Sequence, residues 1–203
     1  MTTQLIIGIA GGSGSGKTTF AQELLRHFGT ESAAFLSHDA YYRPLTHLSS
    51  ADRAATNFDH PDAIETSLLV EHLEHLRQGR PVHVPEYDFA AHDRTHRPTL
   101  VQPRSTIIVE GIMILAEASL RAHFHVSVFI DAPADVRLQR RTDRDMQERG
   151  RSKESVLRQW EQTVRPMHQQ YVEPSKQHAQ LVVNNDHSQP LSIQPLLDFL
   201  QRM

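Results

Sequence analysis

The chain has 203 residues, enough for a single domain with a substantial buried core, and its 38% hydrophobic and 22% charged residues are ordinary for a globular protein. A net charge of −3 argues against a broad nucleic-acid or anionic-membrane surface, and the absence of cysteine excludes disulfides and thiolate metal sites. No stretch approaches the roughly 20 apolar residues of a membrane span and the first residues carry no basic leader, so a cytoplasmic protein is expected.

In chain order, QLIIGIA (4–10) reads as a strand buried on both faces, and the glycine-rich GGSGSGKTTF (11–20) follows it. A helical pattern over about 17–28 stops at Gly29, and AAFLS (33–37) is a second strand. Leu69, Leu73 and Leu76 share one face of a helix over about 66–78, ended by Gly79. Residues 82–103 break the rhythm with extended segments around a polar turn. They read either as an antiparallel hairpin flap beside the core or as a surface excursion. STIIVEG (105–111), HVSVFID (125–131) and QLVV (180–183) supply three more strands. Helices are predicted over about 134–148, 153–172 and 190–202, with Pro166 bending or dividing the second of these. Alternating β and α segments imply an α/β fold, a phosphate-loop (P-loop) type parallel sheet covered by helices on both faces. The 14 histidines include pairs at His72/His75, His92/His96 and His123/His125 without further ligands nearby, and most are expected to face solvent.

Gly11, Gly16, Lys17 and Thr18 satisfy G-x-x-x-x-G-K-[ST] between a buried-type strand and a helix. Glycine lets successive backbone N–H groups converge on one anion, and the helix adds its positive end. Lys17 then reaches the β- and γ-phosphates, and the Thr18 hydroxyl is a Mg²⁺ ligand. Glu110, a lone acid ending an apolar strand, is a second Mg²⁺ contact through water or else an exposed strand-end residue. In SHDAYYR (37–43), Asp39 lies where ligands bind in such sheets, at the carboxyl end of a strand. It can be a catalytic base for a hydroxyl or a helix cap, with His38 the competing base. RLQRRTDRDMQERGRSK (137–153) holds seven of the 21 Lys and Arg residues against three acids. Arg137, Arg141 and Arg144 fall on one helix face, and Arg149 and Arg151 flank Gly150 as in a mobile lid over about 145–155. The alternative is a solvated face, salt-bridged by Asp145 and Glu148 and including Arg137 and Arg140. In the flap, Tyr87, Asp88 and His92 can stack on a base and read its edge.

GIAGGSGSGKTT, SHDAYYR, NFDHPDA (57–63), PEYDFAAHDR (85–94), VEGI (109–112), RRTDRDMQERGRS (140–152) and VRPMHQQYVEPSK (164–176) occur in the order found in uridine kinases, and the sequence closely resembles that family from about residue 4 to 180. The resemblance implies transfer of the γ-phosphate of ATP, or GTP, to the 5′-hydroxyl of uridine or cytidine. It implies ATP contacts from Gly11, Gly12, Ser13, Gly14, Ser15, Gly16, Lys17, Thr18, Thr19 and Arg149, with Lys17, Asp39 and Arg149 catalytic. Nucleoside contacts are implied for Asp39, Tyr42, Asp59, Tyr87, His92, Arg141, Arg144, Arg151 and Gln159, Asp59 accepting ribose hydroxyls and Tyr87 and His92 holding the pyrimidine. It further implies Mg²⁺ at Thr18 and Glu110, a homotetramer, and feedback inhibition by CTP or UTP. After Ala179 the correspondence fades. A phosphoribulokinase or pantothenate kinase, a GTPase-like switch and a non-catalytic nucleotide-binding regulator are the rival readings. The flap weighs against the first, since a sugar phosphate needs cations there more than a ring, and NNDH (184–187) does not fit the N-K-x-D of a guanine reader.

Overall fold

The computed structural model describes residues 4–49, 52–53, 56–186 and 188–203. Five strands, β1 (Leu5–Ala10), β2 (Ala33–Ser37), β7 (Thr106–Glu110), β8 (Val126–Asp131) and β9 (Leu181–Asn184), form a parallel sheet in the order β2-β7-β1-β8-β9. The carboxyl ends of β2 and β7 lie level, with Ser37 opposite Glu110 and Ile9 opposite the same glutamate on β1. That register brings the glycine loop, Asp39 and Glu110 to one edge of the sheet.

Alternation within β1 divides the core. Ile6 and Ala10 pack with Leu36, Ile107 and Val109 against α2 (Thr66–Arg77), through Leu69, Leu73 and Leu76. Ile7 and Ile9 face the other way, against α1 (Lys17–Phe28), through Phe20, Ala21 and Leu24, and against α6 (Gln194–Leu200), through Leu196. A sheet apolar on both faces needs a helical layer on each, which is why the strands carry continuous Ile and Val. A short α3 (Ala118–Arg121) and a 3₁₀ turn (His38–Tyr41) had no sequence signal of their own.

Residues 82–103 form two nested antiparallel ladders where one hairpin was expected. β3 (Val82–Val84) pairs with β6 (Thr99–Val101), and β4 (Tyr87–Asp88) pairs with β5 (Asp93–Arg94). Asp88 accepts from the backbone N–H groups of Ala90 and Ala91 at 2.8 and 3.0 Å and ties off the turn. His92 there adopts a positive φ of 52°.

α4 (Ala134–Glu148) leads into the arginine-rich loop, and α5 (Lys153–Gln159) continues beyond it. Pro166 does not divide that helix. The chain runs on through π-helical turns at Trp160–Val164 and His168–Val172. Arg165 N–H donates to Trp160 O and Glu173 N–H to His168 O, and each donor directly precedes a proline. The wider i→i−5 turn makes room for a ring that would clash with the i−4 carbonyl of an α-helix.

The expectation of solvent-facing histidines fails. Among the described histidines only His27, His47, His83, His96 and His178 are exposed. His72 is buried with Nδ1 3.0 Å from the Tyr41 hydroxyl, and His125 Nδ1 accepts from Ile6 N–H at 3.0 Å. Imidazole, half apolar and able to donate or accept, satisfies such interior positions.

Candidate active site

Two cavities meet over the carboxyl edge of the sheet. The larger, about 540 Å³, lies over the glycine loop and includes Gly14, Gly16, Thr18, Thr19, Glu110 and Arg140 in its wall. The smaller, about 40 Å³, lies under the flap and includes Tyr42, Asp59, Tyr87, His92, Arg141, Arg151 and Gln159. Lys17, Asp39, Phe89, Arg144 and Arg149 line both and form the boundary between them. Every residue expected to contact nucleoside therefore falls in one compartment. The phosphate-loop residues divide: Gly14, Gly16, Lys17, Thr18 and Thr19 line the larger cavity, Ser13 the smaller, and Gly11, Gly12 and Ser15 lie buried beneath.

The loop itself is shaped by close contacts. Gly14 has φ 80° and Gly16 φ 95°, and a Cβ on Gly14 would overlap the Arg137 carbonyl. Only glycine combines left-handed backbone with so near a neighbour. Ser15 N–H donates to Gly12 O at 3.0 Å and closes the turn.

Glu110 is buried rather than exposed at its strand end. It accepts from Ser37 Oγ at 2.6 Å and Thr18 Oγ1 at 3.2 Å, with Lys17 Nζ 3.9 Å away. Burial pushes its pKa up, opposed by the Lys17 charge and by the two hydroxyl hydrogen bonds. A buried carboxylate next to a threonine hydroxyl, with a single cation at the edge of contact, is a donor set that suits a hard divalent ion.

Asp39 sits in the 3₁₀ turn after β2 and caps nothing; the residue at the head of that turn is Ser37. Asp39 Oδ1 is buried and has no partner. His38 turns away into the core, 1% exposed, with Nε2 3.2 Å from Thr66 Oγ1. Burial lowers its pKa to about 4 against the pull of Asp39, so the ring is neutral and lines neither cavity.

In the smaller cavity Tyr42 and Tyr87 pack at 5.1 Å, and His92 stacks on Phe58 with centroids 5.2 Å apart and planes 14° apart. The Tyr87 hydroxyl is buried without a partner. Asp59 accepts from Thr163 Oγ1 at 3.2 Å, and burial raises its pKa against the nearby Arg141 charge.

The arginines are not a solvated face. Asp145, fully buried, gathers them: Arg144 donates from Nε at 2.9 Å and from a terminal nitrogen at 2.7 Å, Arg151 donates at 3.2 Å, and Arg149 and Arg141 stand at 3.6 and 3.7 Å. Burial alone would raise the Asp145 carboxyl, but Arg141, Arg144 and Arg149 outweigh it and hold the pKa low. Arg141 also donates to Ser13 Oγ and Gln159 Oε1, each at 2.7 Å, and Arg151 donates to the same Gln159 oxygen at 2.8 Å. Arg137 leaves the group. It is buried under the loop, 5.3 Å over the Trp160 ring, and donates to Ala132 O at 3.1 Å. Arg149 lies 4.1 Å over the Phe89 ring, so the lid touches the flap directly. Phe58, Phe89 and Asn185 were not singled out in the sequence, and Asp145 entered only as a salt-bridge partner of a solvated face. The three matched segments that hold Phe58, Phe89 and Asp145 were the available signal.

A parallel sheet with a glycine loop, an invading lysine and a paired hydroxyl and carboxylate define a phosphate-loop phosphotransferase. The profile described as "Phosphoribulokinase / Uridine kinase family" matches residues 6–191. A uridine kinase of Chloroflexus aggregans is 47% identical over 189 residues, covering 93% of this chain and 90% of its own. A uridine kinase of Staphylococcus epidermidis is 42% identical over 203 residues, covering 100% and 98%. The phosphoribulokinase of Rhodobacter spheroides superposes with a TM-score of 0.61 at 14% identity, over 94% of this chain and 74% of that one, and so shares the fold. The chain belongs to the phosphoribulokinase/uridine kinase family.

Proposed function

We propose that this protein is a uridine kinase, transferring the γ-phosphate of ATP to the 5′-hydroxyl of uridine, cytidine or both. The observation that carries the reading is the shared boundary of the two cavities, where Lys17, Asp39, Arg144 and Arg149 face both compartments. The donor phosphates belong in the cavity over the loop. The nucleoside belongs under the flap, where two tyrosines and an imidazole offer a stacking wall.

Asp59 accepts from the ribose hydroxyls, and Tyr87 and His92 hold the pyrimidine. The 5′-oxygen attacks the γ-phosphorus in line, the bond from that phosphorus to the β–γ bridging oxygen breaks, and ADP leaves with its electron pair. The hydroxyl proton passes to Asp39. A carboxylate is a weak base towards a sugar hydroxyl, so proton transfer is late and charge stabilisation by Lys17, Arg149 and Arg151 dominates. Thr18 and Glu110 would hold Mg²⁺, which would supply charge neutralisation for the donor phosphates. Closure of the flap on the lid through Phe89 and Arg149 excludes water, the competing acceptor. GTP as an alternative donor, a homo-oligomer, feedback inhibition by CTP or UTP, and a cytoplasmic location belong to the same reading.

The test is ADP release with ATP and Mg²⁺ in the presence of uridine, cytidine, adenosine, ribulose 5-phosphate or pantothenate. Release driven by uridine or cytidine alone is the expected result. Release driven by another acceptor would retain a kinase and overturn the reading of the flap, and release without any acceptor would point to a switch.

A further inference from the structure

Asn185 lies just past β9, in a stretch with no sequence pattern, and is 7% exposed. Its backbone N–H donates to Asp131 O at 2.7 Å, at the end of the neighbouring β8. Its side-chain Nδ2 donates to Ser15 O at 2.7 Å. Its Oδ1 and backbone O accept from Arg140 at 3.2 and 3.1 Å. Chemistry fixes the amide: a guanidinium only donates, so the atom facing Arg140 is the oxygen and the atom facing the Ser15 carbonyl is the nitrogen. The side chain presses so close on the loop that a Cβ on Gly16 would run into Nδ2.

In a loop whose N–H groups converge forward on an anion, the carbonyls point back and need donors of their own. We propose that Asn185 is a positioning residue of the phosphate loop: it satisfies the Ser15 carbonyl from behind, holds the loop's N–H groups toward the donor phosphates, and links them to Arg140 of α4, whose side chain lines the same cavity. The proposal deepens the reading of the larger cavity as the donor site and rests on it. It assigns a role to the segment where the resemblance to uridine kinases fades.

Two variants separate the parts. Asn185→Ala removes both side-chain links. Asn185→Asp keeps an acceptor for Arg140 but sets an oxygen against the Ser15 carbonyl. Each is titrated with a fluorescent ATP analogue and Mg²⁺ and, separately, with uridine. Loss of one buried hydrogen bond at an anion cradle predicts roughly tenfold weaker nucleotide binding for Asn185→Ala and a larger loss for Asn185→Asp, with uridine affinity within about twofold. Nucleotide affinity within twofold of the parent in folded Asn185→Ala would overturn the assignment, as would equal losses for nucleotide and uridine, which mark a general structural role. Failure of the parent to phosphorylate uridine would sink the functional reading and leave this comparison standing.

Discussion

Asp39 has one carboxylate oxygen buried and unpaired, 3₁₀ geometry that fixes it at the boundary of two cavities, and a neutral His38 beside it that is turned into the core. A buried acceptor without a donor costs about 1–3 kcal/mol, and a substrate hydroxyl would relieve that. Asn in its place keeps the size and one acceptor oxygen but is no base. For Asp39→Asn, kcat is expected to fall by about 10²–10⁴ while uridine binding stays within a few-fold, read from steady-state kinetics beside calorimetric titration. Turnover within tenfold of the parent would remove Asp39 as the base. Glu110 shows the same logic from the other side: two hydroxyls donate to it with the Lys17 charge 3.9 Å away, so its role is to hold charge rather than to move a proton.

At the scale of elements, what the sequence made legible follows from which physics it displays. Runs such as IIGI and TIIV announce doubly buried strands, and all five predicted strands are present to within a residue or two at their ends. α4 is different. It is strongly polar throughout, yet it buries Arg137, Arg141, Thr142 and Asp145. Hydrophobic periodicity detects faces that pack on a core and says nothing of a polar face that packs on a site. Asp145 therefore read as one partner in a solvated ladder when it is the buried centre of four guanidinium groups. Asn185 was equally hidden, because its contacts, to Ser15 and Asp131, lie 170 and 54 positions away in the chain. The motifs fared better because a glycine loop is written in local sequence: its backbone needs specific residues in a row. Asp145→Asn tests the arrangement of the lid. The amide preserves volume but leaves four arginines without their counter-charge, and breaking a buried ion pair from one side costs roughly 3–5 kcal/mol. Denaturant melts should show a loss of that order, and kcat should fall at least tenfold as the lid loses register. A destabilised variant with unchanged kcat would mean that the arginines find their places without Asp145.

For the whole molecule, the two-faced sheet and the site make opposite demands. The core excludes charge, yet the carboxyl edge gathers Lys17, Asp39, Asp59, Glu110 and the lid arginines within reach of buried strands. One consequence is a pH-dependent stability whose sign differs from group to group. Asp59 and Glu110 have pKa values raised by burial, so their contribution is present at low pH and is lost as pH rises through the folded values. His38 acts the other way. Burial lowers its pKa from 6.5 to about 4, so between those values the unfolded chain binds a proton that the folded chain refuses. Its contribution is complete above pH 6.5 and is lost as pH falls towards 4. His168, lowered to about 4 by burial and then by the Arg137 charge, adds in the same direction. Replacing the ring isolates its share: between pH 7.5 and 5, His38→Gln should lose roughly 2 kcal/mol less stability than the parent, read from urea unfolding at each pH. Parallel pH dependences would show that His38 takes up its proton in the folded protein without cost, and that the core under the catalytic turn admits charge more readily than its burial implies.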